Sequence, residues 1–175
     1  MHTGLIIAAQ NESELAGVIA HEVGHVSQRH IARMIDAQKG NAAITIGSFL
    51  LALLAARAGS GQAASALAVG GQAALIQSQL SYSRGAEREA DRVGLSSLVR
   101  AGFDPKGMEN FFMRLQQNNR YYEAAAPAYL LTHPLTVERI SDMENRTRRL
   151  GSHTHRDSLD FVLIQPVSYT HLRAH

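Results

Sequence analysis

A mainly α-helical domain with a small β element is what the sequence predicts, from three observations. Helix-start signals recur along the chain: an Asn11/Glu14 capping box, the Asp104-Pro105 pair, and Thr136 as a further N-cap. After the first of these, Leu15, Val18, Ile19, Val26, Ile31 and Ile35 continue at helical spacing. The one run with strand character is short, Gly4 to Ala9 (GLIIAA), a strand end or buried turn that feeds the first helix.

Taken in order, the first helix is expected over about 11 to 38, with Gly40-Asn41 ending it. Ala42 to Ala56 (AAITIGSFLLALLAA) is the most apolar segment and is closed by Arg57 and Gly59. It falls short of the roughly 18 residues needed to span a bilayer, so it is expected as a buried or interfacial helix, a lid over a cleft, or a peripheral membrane contact. Gly59 to Gly71 is rich in Gly, Ala and Ser, the composition of a mobile connection. Gln72 to Leu80 leads into a second helix that runs to about 101 and stops at Gly102. Asp104-Pro105 opens a third through about Gln117, with Met108, Phe111, Phe112 and Leu115 as core residues. Residues 118 to 135 read as loop, Thr136 caps a fourth helix to about 149, and Gly151 ends it. No structure is assigned to Pro166 to His175.

At 175 residues with a net charge of +2, the chain is one domain by length. Its basic charge is carried almost wholly by scattered arginines, with Lys only at 39 and 106, so no nucleic-acid footprint is present. The absence of Cys excludes disulfides and thiolate metal sites. Met1-His2-Thr3 is not the opening of a signal peptide, so the protein is cytoplasmic or its N-terminus is missing.

The chemistry is carried by His21-Glu22-Val23-Gly24-His25. Residues four apart share a helix face, so His21 and His25 can place two imidazole nitrogens on one metal ion. From beside them Glu22 can reach a water bound to that metal and act as general base. A catalytic zinc wants a third protein ligand and an open fourth position. Glu87 and Asp91, again four apart, are the best pair: one carboxylate can bind metal while the other accepts a hydrogen bond from a ligating histidine. The bland alternative is an acidic face paired with Arg84, Arg88 and Arg92. His133, in a proline-bounded loop, can either plug the open metal position or assist catalysis. Arg84, Tyr129 and Arg139 are further oxyanion-donor candidates. His30, His2 and the histidines at 153, 155, 171 and 175 read as surface residues.

HEVGH, followed by SRGAEREAD and then LLTHPLTVERI, resembles the zinc metallopeptidases of the CaaX prenyl protease and HtpX type, over about Thr3 to Arg149 and with all three motifs in order. Within that group the chain is most similar to the soluble periplasmic branch. The resemblance implies a zincin-like fold of the thermolysin (gluzincin) class, with a small sheet whose edge strand holds the substrate backbone. It further implies one Zn2+ held by His21, His25 and Glu87, Glu22 as catalytic base, and Asp91 behind a ligating histidine. The activity implied is hydrolysis of peptide bonds in misfolded or stalled envelope proteins, near the outer-membrane assembly machinery. The competing class is a zinc-stabilised, chaperone-like module that binds unfolded clients without cutting them. Family members carry a helix, a strand hairpin and a signal peptide or anchor ahead of the segment matching HTGLI, so the chain is expected to be a fragment. Residues 1–150 then form the peptidase domain, and 151–175 the truncated start of a C-terminal helical repeat region, which 157–164 (DSLDFVLI) resembles.

Overall fold

The computed structural model describes residues 8–121, 128–151 and 153–173. Seven helices are described: α1 (Glu12–Ser27), α2 (His30–Arg57), α3 (Gly61–Arg100), α4 (Lys106–Tyr121), α5 (Ala128–Thr132), α6 (Val137–Leu150) and α7 (Leu159–Arg173). The mainly α class is therefore correct. Among the described residues there is no strand, and of the expected strand end Gly4–Ala9, residues 4–7 lie outside them. The chain forms two compact units, one of Met1–Gly24 with Arg88–His175, the other His25–Glu87.

In the first unit α1 starts as its sequence predicts. The Asn11 side chain accepts from the Glu14 amide at 2.9 Å, and the Glu14 carboxylate accepts from Gln10 N–H at 2.7 Å. Glu14 is then clamped by both terminal nitrogens of Arg114, at 2.6 and 2.7 Å, which anchors the start of α1 to α4. Asp104 Oδ1 accepts from the Lys106 amide at 2.9 Å, and Thr136 Oγ1 from the Arg139 amide at 3.3 Å, so the starts of α4 and α6 are capped where expected. Gly102 and Gly151, with φ of 85° and 74°, follow the ends of α3 and α6 in the left-handed conformation that a Cβ disfavours.

The core of this unit joins Val18 of α1 and Leu95 and Leu98 of α3 to Met108, Phe111, Phe112 and Leu115 of α4 and Ile140 and Met143 of α6. The four α4 residues are those the sequence assigned to the core. Of the α1 periodicity, only Val18 is fully buried; Ile19 and Val26 are exposed, because the helix turns its His21 face inward. The tail is also ordered: α7 forms through Pro166 and is tied to α1. Glu12 accepts from the Ser158 amide and hydroxyl at 2.7 and 2.9 Å, and Asp157 accepts from the Glu12 amide at 2.8 Å.

The second unit is an antiparallel helical hairpin. Its arms, α2 and the first part of α3, meet at Ser78 and Asn41 (3.4 Å) and at Tyr82, whose hydroxyl donates to the His30 carbonyl at 2.7 Å. Gly71 lies so close to Ser48 that a Cβ there would collide with its side chain. Three boundaries differ from expectation. The first helix breaks at Gln28-Arg29 rather than at Gly40-Asn41, because Arg29 adopts φ 52° and ψ 40°. Gly40 is absorbed inside α2 at a cost of about 1 kcal/mol relative to alanine. The expected mobile connection is helical from Gly61, since Ala63, Ala64, Ala66 and Ala68 favour helix more strongly than Gly70 and Gly71 oppose it. The apolar segment 42–56 therefore belongs to a 28-residue helix that is long and apolar enough to cross a membrane by length and composition. It is not a core helix: Phe49 and Leu54 are 68% and 63% exposed.

Candidate metal centre

In the first unit α1 crosses the C-terminal part of α3 at backbone contact distance. A Cβ on Gly24 would stand 2.8 Å from the Ala90 carbonyl oxygen, and one on Gly94 would stand 2.9 Å from that of Ala20. This approach delivers His21 to Asp91: Nδ1 and Oδ1 are 2.9 Å apart, with both side chains buried. Asp91 also accepts from Arg139, at 2.7 Å from Nε to Oδ2 and 2.7 Å from Nη2 to Oδ1. Burial alone would push the Asp91 carboxyl up. The hydrogen bonds from His21 and Arg139, with the Arg139 charge, outweigh it and hold the group below the ordinary carboxylate range.

Arg139 makes two further contacts. Its Nη1 donates to the Pro134 carbonyl at 2.8 Å, and its guanidinium lies 5.2 Å over the Phe112 ring. The segment that carries His133 is thereby tied to the same carboxylate as His21. His133 stacks on Tyr129 at 4.7 Å. Its Nδ1 is 3.4 Å from His21 Nε2, and its Nε2 is 3.4 Å from Glu22 Oε1. Arg139, considered from sequence as an oxyanion donor, is instead committed to Asp91 and Pro134.

In the second unit His25 Nε2 lies 3.2 Å from Glu87 Oε1, and the Glu87 side chain is buried. His25 Nδ1 lies 2.9 Å from His30 Nδ1. The acidic residues of α3 are thus not a solvated face: Glu87 meets a histidine, Asp91 a histidine and an arginine, and Arg88 pairs instead with Glu138 at 3.0 Å.

Both α1 histidines are engaged at Nδ1, His21 by Asp91 and His25 by His30, which directs each Nε2 toward other ligating groups. Residues of metal-ligating type thus meet within each unit, His21 with His133 in the first and His25 with Glu87 in the second. Imidazole nitrogen with carboxylate oxygen is a donor set that suits a borderline divalent ion such as zinc. His30 and Arg139 are the two residues that sequence reasoning assigned elsewhere. His30 is 4% exposed, not a surface histidine, and only its place five residues after His25 hinted at a shared role. His155 likewise is half-buried, its ring 4.4 Å from Phe103 and its Nε2 3.3 Å from Glu12.

A mainly helical chain with two histidines four apart on α1 fits the zincin-like metallohydrolase class. The chain belongs to peptidase family M48, a metallopeptidase family whose profile matches residues 1–147. It is 41% identical over 166 residues to the beta-barrel assembly-enhancing protease of Yersinia pestis, covering 93% of this chain and 33% of that protein. The protein of that name from Escherichia coli K12 is 40% identical over 167 residues, with the same coverage. A mitochondrial metalloendopeptidase OMA1 of Arabidopsis thaliana is 32% identical over 134 residues, 75% of this chain and 24% of that protein. The chain spans about a third of the length of the bacterial relatives it matches.

Proposed function

We propose that the chain is the catalytic part of a zinc-dependent endopeptidase, with His21, His25 and Glu87 as ligands of one Zn2+. Zinc, when bound, supplies Lewis acidity to the scissile carbonyl and to water. Asp91 holds His21 at Nδ1 and so keeps Nε2 as the ligating atom. Glu22, beside the ligands on α1, takes the proton from water and passes it to the leaving amine. The observation that supports this reading best is the Asp91 clamp on His21, because a histidine needed only for packing has no use for a buried, twice-anchored carboxylate.

His133 is assigned to the same centre as a gate. One ring nitrogen faces His21 Nε2 and the other faces the Glu22 carboxylate, so this arrangement engages the base and a ligand nitrogen together. The substrates proposed are unfolded or misfolded envelope proteins in the periplasm, near the outer-membrane assembly machinery. The name of the bacterial relatives supports that assignment. The exposed apolar face of α2 supports peripheral membrane contact through 42–56. Residues 1–150 are proposed as the peptidase domain and 151–175 as the beginning of a helical extension, which the exposed Leu159, Leu163 and Ile164 of α7 support.

The test is cleavage of casein by the zinc-loaded chain and by Glu22→Gln, with bound zinc measured in both. Cleavage by the wild type alone, at about one zinc each, is the expected result. Zinc in both with cleavage in neither, even after His133→Ala, would favour the non-cleaving, zinc-stabilised binding module.

A further inference from the structure

Between α1 and α2 the chain makes a turn that its residue types do not ask for. Arg29 has φ 52° and ψ 40°, and among the described residues it is the one non-glycine residue with positive φ. A left-handed conformation costs a residue with a Cβ about 1–2 kcal/mol. Strain of this kind persists where the surrounding structure gains from it.

The gain is visible at His25. On an uninterrupted helix a residue five positions on would be turned about 140° away. After the turn at Arg29, His30 faces His25 instead: the Nδ1 atoms are 2.9 Å apart, and the rings meet edge to face with centroids at 4.8 Å. His30 is buried, and its carbonyl accepts the Tyr82 hydroxyl at 2.7 Å, which fixes the backbone at the start of α2.

Two Nδ1 atoms at hydrogen-bond distance share one proton, so one ring donates and the other accepts. His25 presents Nε2 to Glu87 Oε1 at 3.2 Å. A neutral imidazole that ligates through Nε2 carries its proton on Nδ1. His30 must then accept at Nδ1 and keep its own proton on Nε2. Because its Nδ1 meets Nδ1 rather than the Nε2 side, His30 is not itself placed as a ligand.

We infer that His30 is a positioning residue for the metal: it holds His25 as the Nδ1–H tautomer and aims Nε2 at the ion, as Asp91 does for His21, and the left-handed Arg29 brings it there. This rests on the zinc reading of His25 and Glu87.

The experiment compares wild type, His30→Leu and His30→Asn. Leucine fills similar space without an acceptor, while asparagine places Oδ1 near the position of Nδ1. Zinc affinity is read by chelator competition, ligand geometry by the visible spectrum of the Co2+-loaded protein, and folding by thermal unfolding of the metal-free protein. His30→Leu should bind zinc about 10–100-fold more weakly and alter the Co2+ spectrum, and His30→Asn should recover most of the affinity. Wild-type affinity in His30→Leu would overturn the inference. So would equal loss in both variants alongside an equal fall in metal-free stability, which marks packing alone. Failure of the wild type to bind zinc would instead overturn the metal reading itself, an outcome distinct from either.

Discussion

His21 Nδ1 stands 2.9 Å from Asp91 Oδ1, and both side chains are buried. The contact sets the ring's tautomer, and its other end is Arg139, so three residues from α1, α3 and α6 act as one unit. Asp91→Asn should weaken zinc binding about 10–100-fold, because an amide can turn its NH2 toward His21 and no longer demands an N–H there. Chelator competition measures this. Affinity unchanged from wild type would show that the clamp does not orient the ring.

Arg139→Lys keeps the charge but not the fork. It should lose one of the two bonds to Asp91 and the bond to the Pro134 carbonyl, leaving buried acceptors short of donors. The expected destabilisation is about 1–3 kcal/mol, read by urea unfolding, the cost of leaving a buried acceptor unsatisfied and less than that of removing the charge altogether. A change under about 0.5 kcal/mol, typical of surface substitutions, would contradict the role assigned to the fork.

Gly24→Ala tests the helix crossing. Its Cβ would meet the Ala90 carbonyl oxygen at 2.8 Å and backbone must move to admit it. Overpacking of this sort costs about 1–3 kcal/mol, so the melting temperature should fall. Gly40→Ala has open space around its Cβ and serves as the opposite control, with stability raised by up to about 1 kcal/mol. Equal effects of the two substitutions would rule out the crossing as their cause.

His133→Ala should raise basal casein cleavage, since it frees both the Glu22 carboxylate and His21 Nε2 from a neighbouring ring. A fall in kcat would instead make His133 a participant in turnover and end its assignment as a gate.

Glu12 links the tail to α1. The Ser158 backbone amide is the main cause that holds its carboxyl below the ordinary value of 4.5, against the opposing effect of burial. A depressed folded-state pKa gives stability that is fully present above the unfolded value and is lost as pH falls through the folded one. The stability difference between wild type and Glu12→Gln should therefore be constant above pH 4.5 and shrink below it. Unfolding titrations of both proteins across that range check the sign. A difference that grows toward low pH would refute the linkage.

Much of the centre was legible because helical periodicity is local. His21 with His25, and Glu87 with Asp91, are pairs four apart, and the caps at Asn11, Asp104 and Thr136 depend on residues within three positions. The misplaced boundaries fell where local propensity is weak. Gly40-Asn41 and the stretch from Gly61 to Gly71 look like breaks, yet the chain is helical through both, the break falling only at 58–60, and Gly71 meets Ser48 within the hairpin. Conversely, nothing in Ser27-Gln28-Arg29-His30 announces a turn.

By itself, then, the sequence determined the candidate residue types, their helical spacing and the mainly α class, since these follow from side-chain chemistry and a 3.6-residue period. Only the tertiary structure decided which nitrogen of each histidine faces outward, because that depends on partners far away in the chain or beyond a backbone break. Asp91 and Arg139 are 70 and 118 residues from His21 in sequence, by subtraction of their numbers, and Gly24 and Gly94 let the helices that carry His21 and Asp91 close. His30 is near His25 in sequence, yet a left-handed Arg29 was needed to turn it back.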